Sequence, residues 1–244
     1  MRNLCILFAG GKDSVYALHW AVMKGFEIAC LLTLKPAIGD TRTSRGSGVE
    51  LTALQARAMG LPILYVECGR RGEGEYEDLL RGLETALSRY GAEGVVASAC
   101  LPDYQRMKIS MACEELGLSM HAPLRKGSHE DYMRELVDSG FEFVLTSIDC
   151  YGIPPRFLGR IIKGEELEEL ILLSKKYDFN PAFGEGEAET LVLDAPLFKK
   201  SLAIRGDVIK VGEYSWKLAI REAWLVRKGK QCCILSRKTF WTSF

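Results

Sequence analysis

At 244 residues the chain can build one large domain, or a main domain with an appendage. Hydrophobic residues make up 48% and charged residues 26%, an ordinary balance for a soluble globular protein. The 32 basic side chains are matched by 32 acidic ones, and zero net charge argues against the broad basic footprint of a DNA-binding protein. No apolar run reaches about 18 residues, so no membrane span is expected. The chain runs directly into a strand without a signal peptide, which predicts a cytoplasmic protein. Cys5, Cys30, Cys68, Cys100, Cys113 and Cys150 are scattered and read as small hydrophobes in a reducing compartment. His19, His121 and His129 show no metal-ligand spacing.

In chain order, apolar strand-like runs fall at residues 4–8, 28–34, 63–66, 95–99 and 141–146, with helical patterns between them. Val15, Leu18 and Val22 share one helical face; Ile109, Ala112, Cys113 and Leu116 share another. Ser128 reads as the N-cap of a helix carrying Tyr132, Met133, Leu136 and Val137, with Gly140 just past its end. Such alternation predicts an α/β fold, a parallel sheet with helices on both faces. After residue 146 the pattern breaks at Tyr151-Gly152-Ile153-Pro154-Pro155. A helix follows with Leu167, Leu170 and Ile171 inward, and Glu165, Glu166, Glu168 and Glu169 on a solvated acidic start. Strand-like runs at 190–193, 202–204, 208–211 and 215–226 complete a smaller C-terminal α+β region. The expected division is 1–147 for nucleotide binding, 148–227 for substrate binding, and a frayed tail over 228–244. Two loops stand out. Residues 35–48, with Arg42 and Arg45, read as a surface loop or as a basic lid, and 69–74 as plain surface.

The densest chemical signal is Ala9-Gly10-Gly11-Lys12-Asp13-Ser14, between the first strand and the first helix. Two glycines let backbone approach a ligand closely, and the amides and dipole of the helix start favour phosphate. Lys12 adds a cation, Asp13 a candidate magnesium ligand and Ser14 a hydroxyl. The spacing fits neither a Walker loop nor a dinucleotide fingerprint. It resembles the S-G-G-x-D-S loop of the N-type ATP pyrophosphatases, the PP-loop fold of the HUP class, with Ala9 in place of the usual Ser. By fold-level analogy adenine would lie near Leu32, Thr33 and Ser98.

A second signal is Gly184-Glu185-Gly186-Glu187-Ala188-Glu189-Thr190. If extended, the three glutamates share one side and need a cation or open water. An acidic surface turn and a pocket for magnesium, ammonium or an organic cation both fit. The run continuing to Phe198 resembles the E-G-G-E-x-E-T…D-x-P-L-F signature of the diphthine–ammonia ligase family. Similar resemblances lie in Tyr151 to Arg160, Leu51 to Gly60, Tyr104-Gln105-Arg106 and Asp131 to Leu136, in the family's order over residues 1 to 225. Glu185 interrupts the family's glycine pair, and Phe183 stands where a small residue is usual.

The resemblance implies that ATP adenylates the carboxylate of diphthine on translation elongation factor 2, and that ammonium supplies the amide nitrogen. It implies Lys12, Asp13, Glu187 and Glu189 as catalytic, with Asp13 on magnesium. Ala9, Gly10, Gly11, Lys12, Asp13, Ser14, Thr33, Ser98, Gln105 and Arg106 would hold ATP. Tyr151, Gly152, Arg160, Glu185, Glu187, Glu189 and Thr190 would hold substrate. Two other readings compete. A tRNA-modifying PP-loop enzyme would call for a basic surface and, for thiolation, a C-x-x-C pair; zero net charge and the missing C-x-x-C count against it. A non-catalytic adenine-nucleotide sensor would bind at the glycine loop without turnover.

Overall fold

A computed structural model describes residues 2–35, 47–69, 74–98, 102–123, 128–229 and 233–235. The expected loop at 35–48 and turn at 69–74 lie largely outside these residues, as does most of the tail. The chain forms two compact units, Met1–Arg125 and Lys126–Phe244.

In the first unit, β1 (Asn3–Leu7), β2 (Glu27–Lys35), β3 (Ile63–Glu67), β4 (Gly94–Val96) and β5 (Ser119–His121) form one sheet in the order β3-β2-β1-β4-β5. Every pairing in it is parallel. The connecting helices are α1 (Lys12–Met23), α2 (Ser47–Met59), α3 (Glu75–Tyr90) and α4 (Asp103–Glu115). Both faces of the sheet are covered. Cys5, Cys30, Leu32, Val66 and Val95 bury one face against Leu79, Leu83 and Ala86 of α3 and Ile109, Ala112 and Cys113 of α4. The alternate residues Leu4, Ile6 and Leu31 are equally buried, as are Val15, Leu18 and Ala21 of α1 and Leu51 and Ala56 of α2, which serve the other face. The strands therefore read as continuous apolar runs, as parallel strands do. The Val, Leu and Ile side chains among them, at 0–6% exposure, each contribute about 1.5–3 kcal/mol where fully buried. Strand order reverses at β1 and β4, and ligands of such sheets bind beyond the strand ends at that crevice.

The second unit holds β6 (Glu142–Asp149), β7 (Ala188–Asp194), β8 (Ser201–Lys210), β9 (Ser215–Val226) and β10 (Cys233–Leu235), in the order β10-β8-β9-β6-β7, with α5 (His129–Asp138) and α6 (Gly164–Tyr177). All pairs are antiparallel except β10 with β8.

Three expectations need correction. The run at 141–146 is not the last strand of the parallel sheet but β6, paired with β7 and β9; the fifth parallel strand is the three-residue β5, too short to show a period. The runs at 202–204 and 208–211 are one strand, β8, with a register shift at Arg205/Gly206. Part of the tail is a strand rather than frayed, because β10 extends the sheet edge. The acidic start of α6 is solvated as expected, with Glu165, Glu168 and Glu169 exposed, and it also carries ion pairs: Arg134 grips Glu168 through two hydrogen bonds of 2.7 and 2.9 Å, Arg156 bonds Glu169, and Arg160 lies 2.7 Å from Glu166.

The cap at Ser128 is as expected. Its hydroxyl oxygen accepts from the Asp131 amide at 3.1 Å, and Asp131 accepts from the Ser128 amide, a full capping box. Gly140, at φ +83°, closes the helix. These bonds to Ser128, side chain first and backbone second, hold the Asp131 carboxyl below its usual range. A carboxyl depressed in the folded state stabilises above its unfolded pKa, and that gain is lost as pH falls through the folded value. Ser128→Ala should therefore cost about 1 kcal/mol near neutral pH, read as a lower urea midpoint, and the gap to wild type should narrow below about pH 4.

Candidate active site

The turn Phe8 to Ser14 leaves the central strand at the reversal point, and five hydrogen bonds shape it. The Phe8 amide donates to the Leu32 carbonyl at 2.8 Å, and the Thr33 hydroxyl donates to the Phe8 carbonyl at 2.7 Å. Gln55 Nε2 donates to the Gly10 carbonyl at 2.9 Å from inside the protein. The Ser14 hydroxyl donates to the Gly11 carbonyl at 3.0 Å and accepts from the Ala9 amide at 3.3 Å. Gly10 sits at φ +79°, where a side chain would be strained, and a Cβ there would meet Gln55 Oε1 at 2.4 Å. Gly11 is the N-cap of α1 and brings no side chain over the helix start. The first amides and the positive end of the dipole are thus presented as a cradle for an anion.

Lys12 is 1% exposed, yet its ammonium lies 2.7 Å from Asp13 Oδ2. A buried ammonium needs such a partner. The pair sets a cation and a carboxylate side by side at the cradle.

Other expected residues are placed as follows. Thr33 is buried and braces the turn through Phe8. Ser98 lies two residues past β4, at the neighbouring strand end, since Ile6 pairs with Val96. Gln105 and Arg106 stand on the first turns of α4, where Gln105 Nε2 donates to the Tyr104 hydroxyl at 3.3 Å and Arg106 bonds Asp103. Gln55 was missed, although it lies inside the quoted Leu51 to Gly60 motif. The available signal was a glutamine on an otherwise apolar helix face.

In the second unit the three glutamates do not line one side. β7 begins only at Ala188, and Glu185 lies in the preceding turn. Glu187 turns back on its own loop, accepting from the amides of Asn180 at 3.1 Å and Glu185 at 3.0 Å. Glu189 is exposed on β7 beside Ser147 of β6, and Thr190 follows beside Leu145. Gly186 supplies the positive φ, +99°, so the departure at Glu185 leaves the turn intact. Phe183 is at φ +57°, a left-handed conformation that explains why a small residue suits the position, and its ring is buried. Asp194 accepts from the Ala195 amide at 2.8 Å and from the Ser201 hydroxyl at 2.5 Å, fixing the D-A-P turn. Arg160 is held by Glu166. Tyr151 and Gly152 follow β6 directly.

Two family models match the chain, one within each compact unit. The family model of the diphthamide synthase N-terminal domain matches residues 1–120, and that of the diphthamide synthase C-terminal domain matches residues 128–232. A protein named diphthine–ammonia ligase from Rattus norvegicus is 34% identical over 221 residues, covering 83% of this chain and 82% of that one. Proteins of the same name from Homo sapiens and Danio rerio are each 32% identical, over 226 and 216 residues, covering 83% and 81% of this chain and 82% and 84% of theirs.

Two predictions follow from the geometry. Gly10→Ala should cost about 1–3 kcal/mol of stability from left-handed strain and weaken ATP binding at least about tenfold, read by denaturation and nucleotide titration. Glu187→Gln should lower turnover with protein substrate while the ATP dissociation constant stays within about twofold, because an amide replaces one acceptor of the loop bonds; equal steady-state kinetics would remove Glu187 from any functional role.

Proposed function

The chain belongs to the diphthamide synthase family, and from that premise we propose that it catalyses ATP-dependent amidation of diphthine on translation elongation factor 2, in the cytoplasm. Ammonium supplies the nitrogen, and AMP and pyrophosphate are released. The observation that carries this reading is the braced glycine turn at the reversal point of the parallel sheet, opening directly into α1 with Lys12 and Asp13 at its mouth.

A carboxylate is a poor acyl donor. Attack of the diphthine carboxylate on the α-phosphorus of ATP forms the acyl-adenylate and expels pyrophosphate. Ammonia then attacks the acyl carbon and expels AMP, leaving the amide. The amides of the Gly10–Ser14 turn and the Lys12 ammonium bind the phosphates and meet the charge that develops on the leaving pyrophosphate. Among the described residues no group of three or more His, Cys, Asp or Glu side chains could hold a metal unaided. Magnesium rarely needs such a cage, being held by one or two carboxylates together with substrate phosphates and water. Asp13 fits that role, and the ion would neutralise phosphate charge when bound.

Free ammonia as donor accords with Cys5, which is buried within β1. Its hydrogen bond with Cys30 and its burial push its thiol well up, the reverse of what a glutaminase nucleophile needs. Buried free thiols at Cys5, Cys30 and Cys113 also suit a reducing compartment.

The test is AMP release from ATP, magnesium and ammonium, with and without elongation factor 2 carrying diphthine. The expected result is AMP that depends on that substrate, with a loss of about one dalton from the factor. AMP independent of it would overturn the assignment of the acceptor. Lys12→Met should reduce kcat about 100-fold or more with a smaller change in the KM for the factor.

A further inference from the structure

Three tyrosines meet at one end of the second unit's sheet. Tyr151 follows β6, Tyr214 lies in the turn before β9, and Tyr177 ends α6. Tyr151 packs edge-to-face with both others: the Tyr177 ring is at 5.2 Å and 82°, and the Tyr214 ring at 5.2 Å and 83°. Edge-to-face pairs satisfy ring quadrupoles, but here the cluster stands at the surface, with Tyr151 61% and Tyr214 49% exposed. Neighbouring glycine chemistry is built for the cluster. Gly152, at φ +101°, lets the Tyr177 ring in: a Cβ there would fall 2.5 Å from Tyr177 Cβ.

The surroundings are electronegative. The adjacent Glu213 carboxylate pushes the Tyr214 hydroxyl up. Asp149, the last residue of β6, accepts from the Ser215 hydroxyl. Glu187 lies close enough to act on the thiol of Cys150, which burial chiefly pushes up to about 11. The Lys176 ammonium already stands 5.0 Å from the Tyr177 ring centre, so one ring of the trio carries a cation in the folded chain.

Small hydrated cations and lysine ammonium groups seek hydrogen-bond acceptors. A quaternary ammonium has no N–H to donate and spreads its charge over methyl groups, so aromatic faces backed by carboxylates recognise it. We propose that Tyr151, Tyr177 and Tyr214 receive the quaternary ammonium group that diphthine carries, an assignment that rests on the diphthine reading above. It gives the Tyr151-Gly152 motif a physical task. It also relieves the Glu185–Glu189 stretch of that role, since the Glu187 carboxylate is engaged with the amides of its own loop.

Titration with choline and with its neutral isostere 3,3-dimethyl-1-butanol, followed by NMR of the tyrosine rings, tests the receptor without any turnover. Choline should bind at least about tenfold tighter than the alcohol. Tyr214→Leu should remove most of that preference, and Tyr214→Phe, which keeps the ring, should retain it. Equal binding of the two probes by the wild-type protein would overturn the proposal whether or not any variant folds. So would a folded Tyr214→Leu protein that keeps the preference. In the ligase assay the leucine variant should raise the KM for the diphthine-bearing factor about tenfold, with the KM values for ATP and ammonium unmoved. A wild-type protein that prefers choline yet forms no amide would sink the ligase reading alone.

Discussion

The buried hydrogen bond from Gln55 to the Gly10 carbonyl is the constraint on which the glycine turn rests. Phe8 and Gly10 are buried at the end of a central parallel strand, so their carbonyls cannot turn to water and must be satisfied from within. Gln55, Thr33 and Ser14 take that part at three successive points of the turn. With those carbonyls tied inward, the amides at the start of α1 are presented toward a ligand. Glycine at position 10 follows from both halves of the same requirement. Only glycine adopts φ +79° without strain, and only its missing Cβ leaves room for the Gln55 side chain.

The second unit uses charge chiefly to hold loops and helices in place. Arg134 joins α5 to α6 through Glu168, Glu187 closes the loop from Asn180 to Glu185, and Asp194 fixes the turn into β8. An exposed ion pair contributes little stability, typically about 0–1 kcal/mol, so the value of these contacts lies in geometry. They set the two ends of β7 and the packing of α5 on α6. Polar residues within a shared motif therefore need not touch substrate.

What the sequence determined by itself is local. The strand-turn-helix at Phe8–Ser14, the cap at Ser128 and the inward face of α6 all repeat within a few residues, and strand and helix periods are set at that range. The parallel sheet follows from their alternation. What only the tertiary structure decided is pairing across long separations. Gln55 meets Gly10 across 45 positions, and Asp149 meets Ser215 across 66. An apolar run such as β6 carries no mark of which sheet it will join, and β5 is too short to carry a period at all. The glutamates around position 187 looked like one acidic face because alternation is all a sequence shows. Their separation came from backbone amides that captured the Glu187 carboxylate once Asn180 and Glu185 were brought beside it. The tyrosine trio was hidden for the same reason: each ring looks ordinary in its own segment, and only the meeting of β6, β9 and α6 makes three of them a surface.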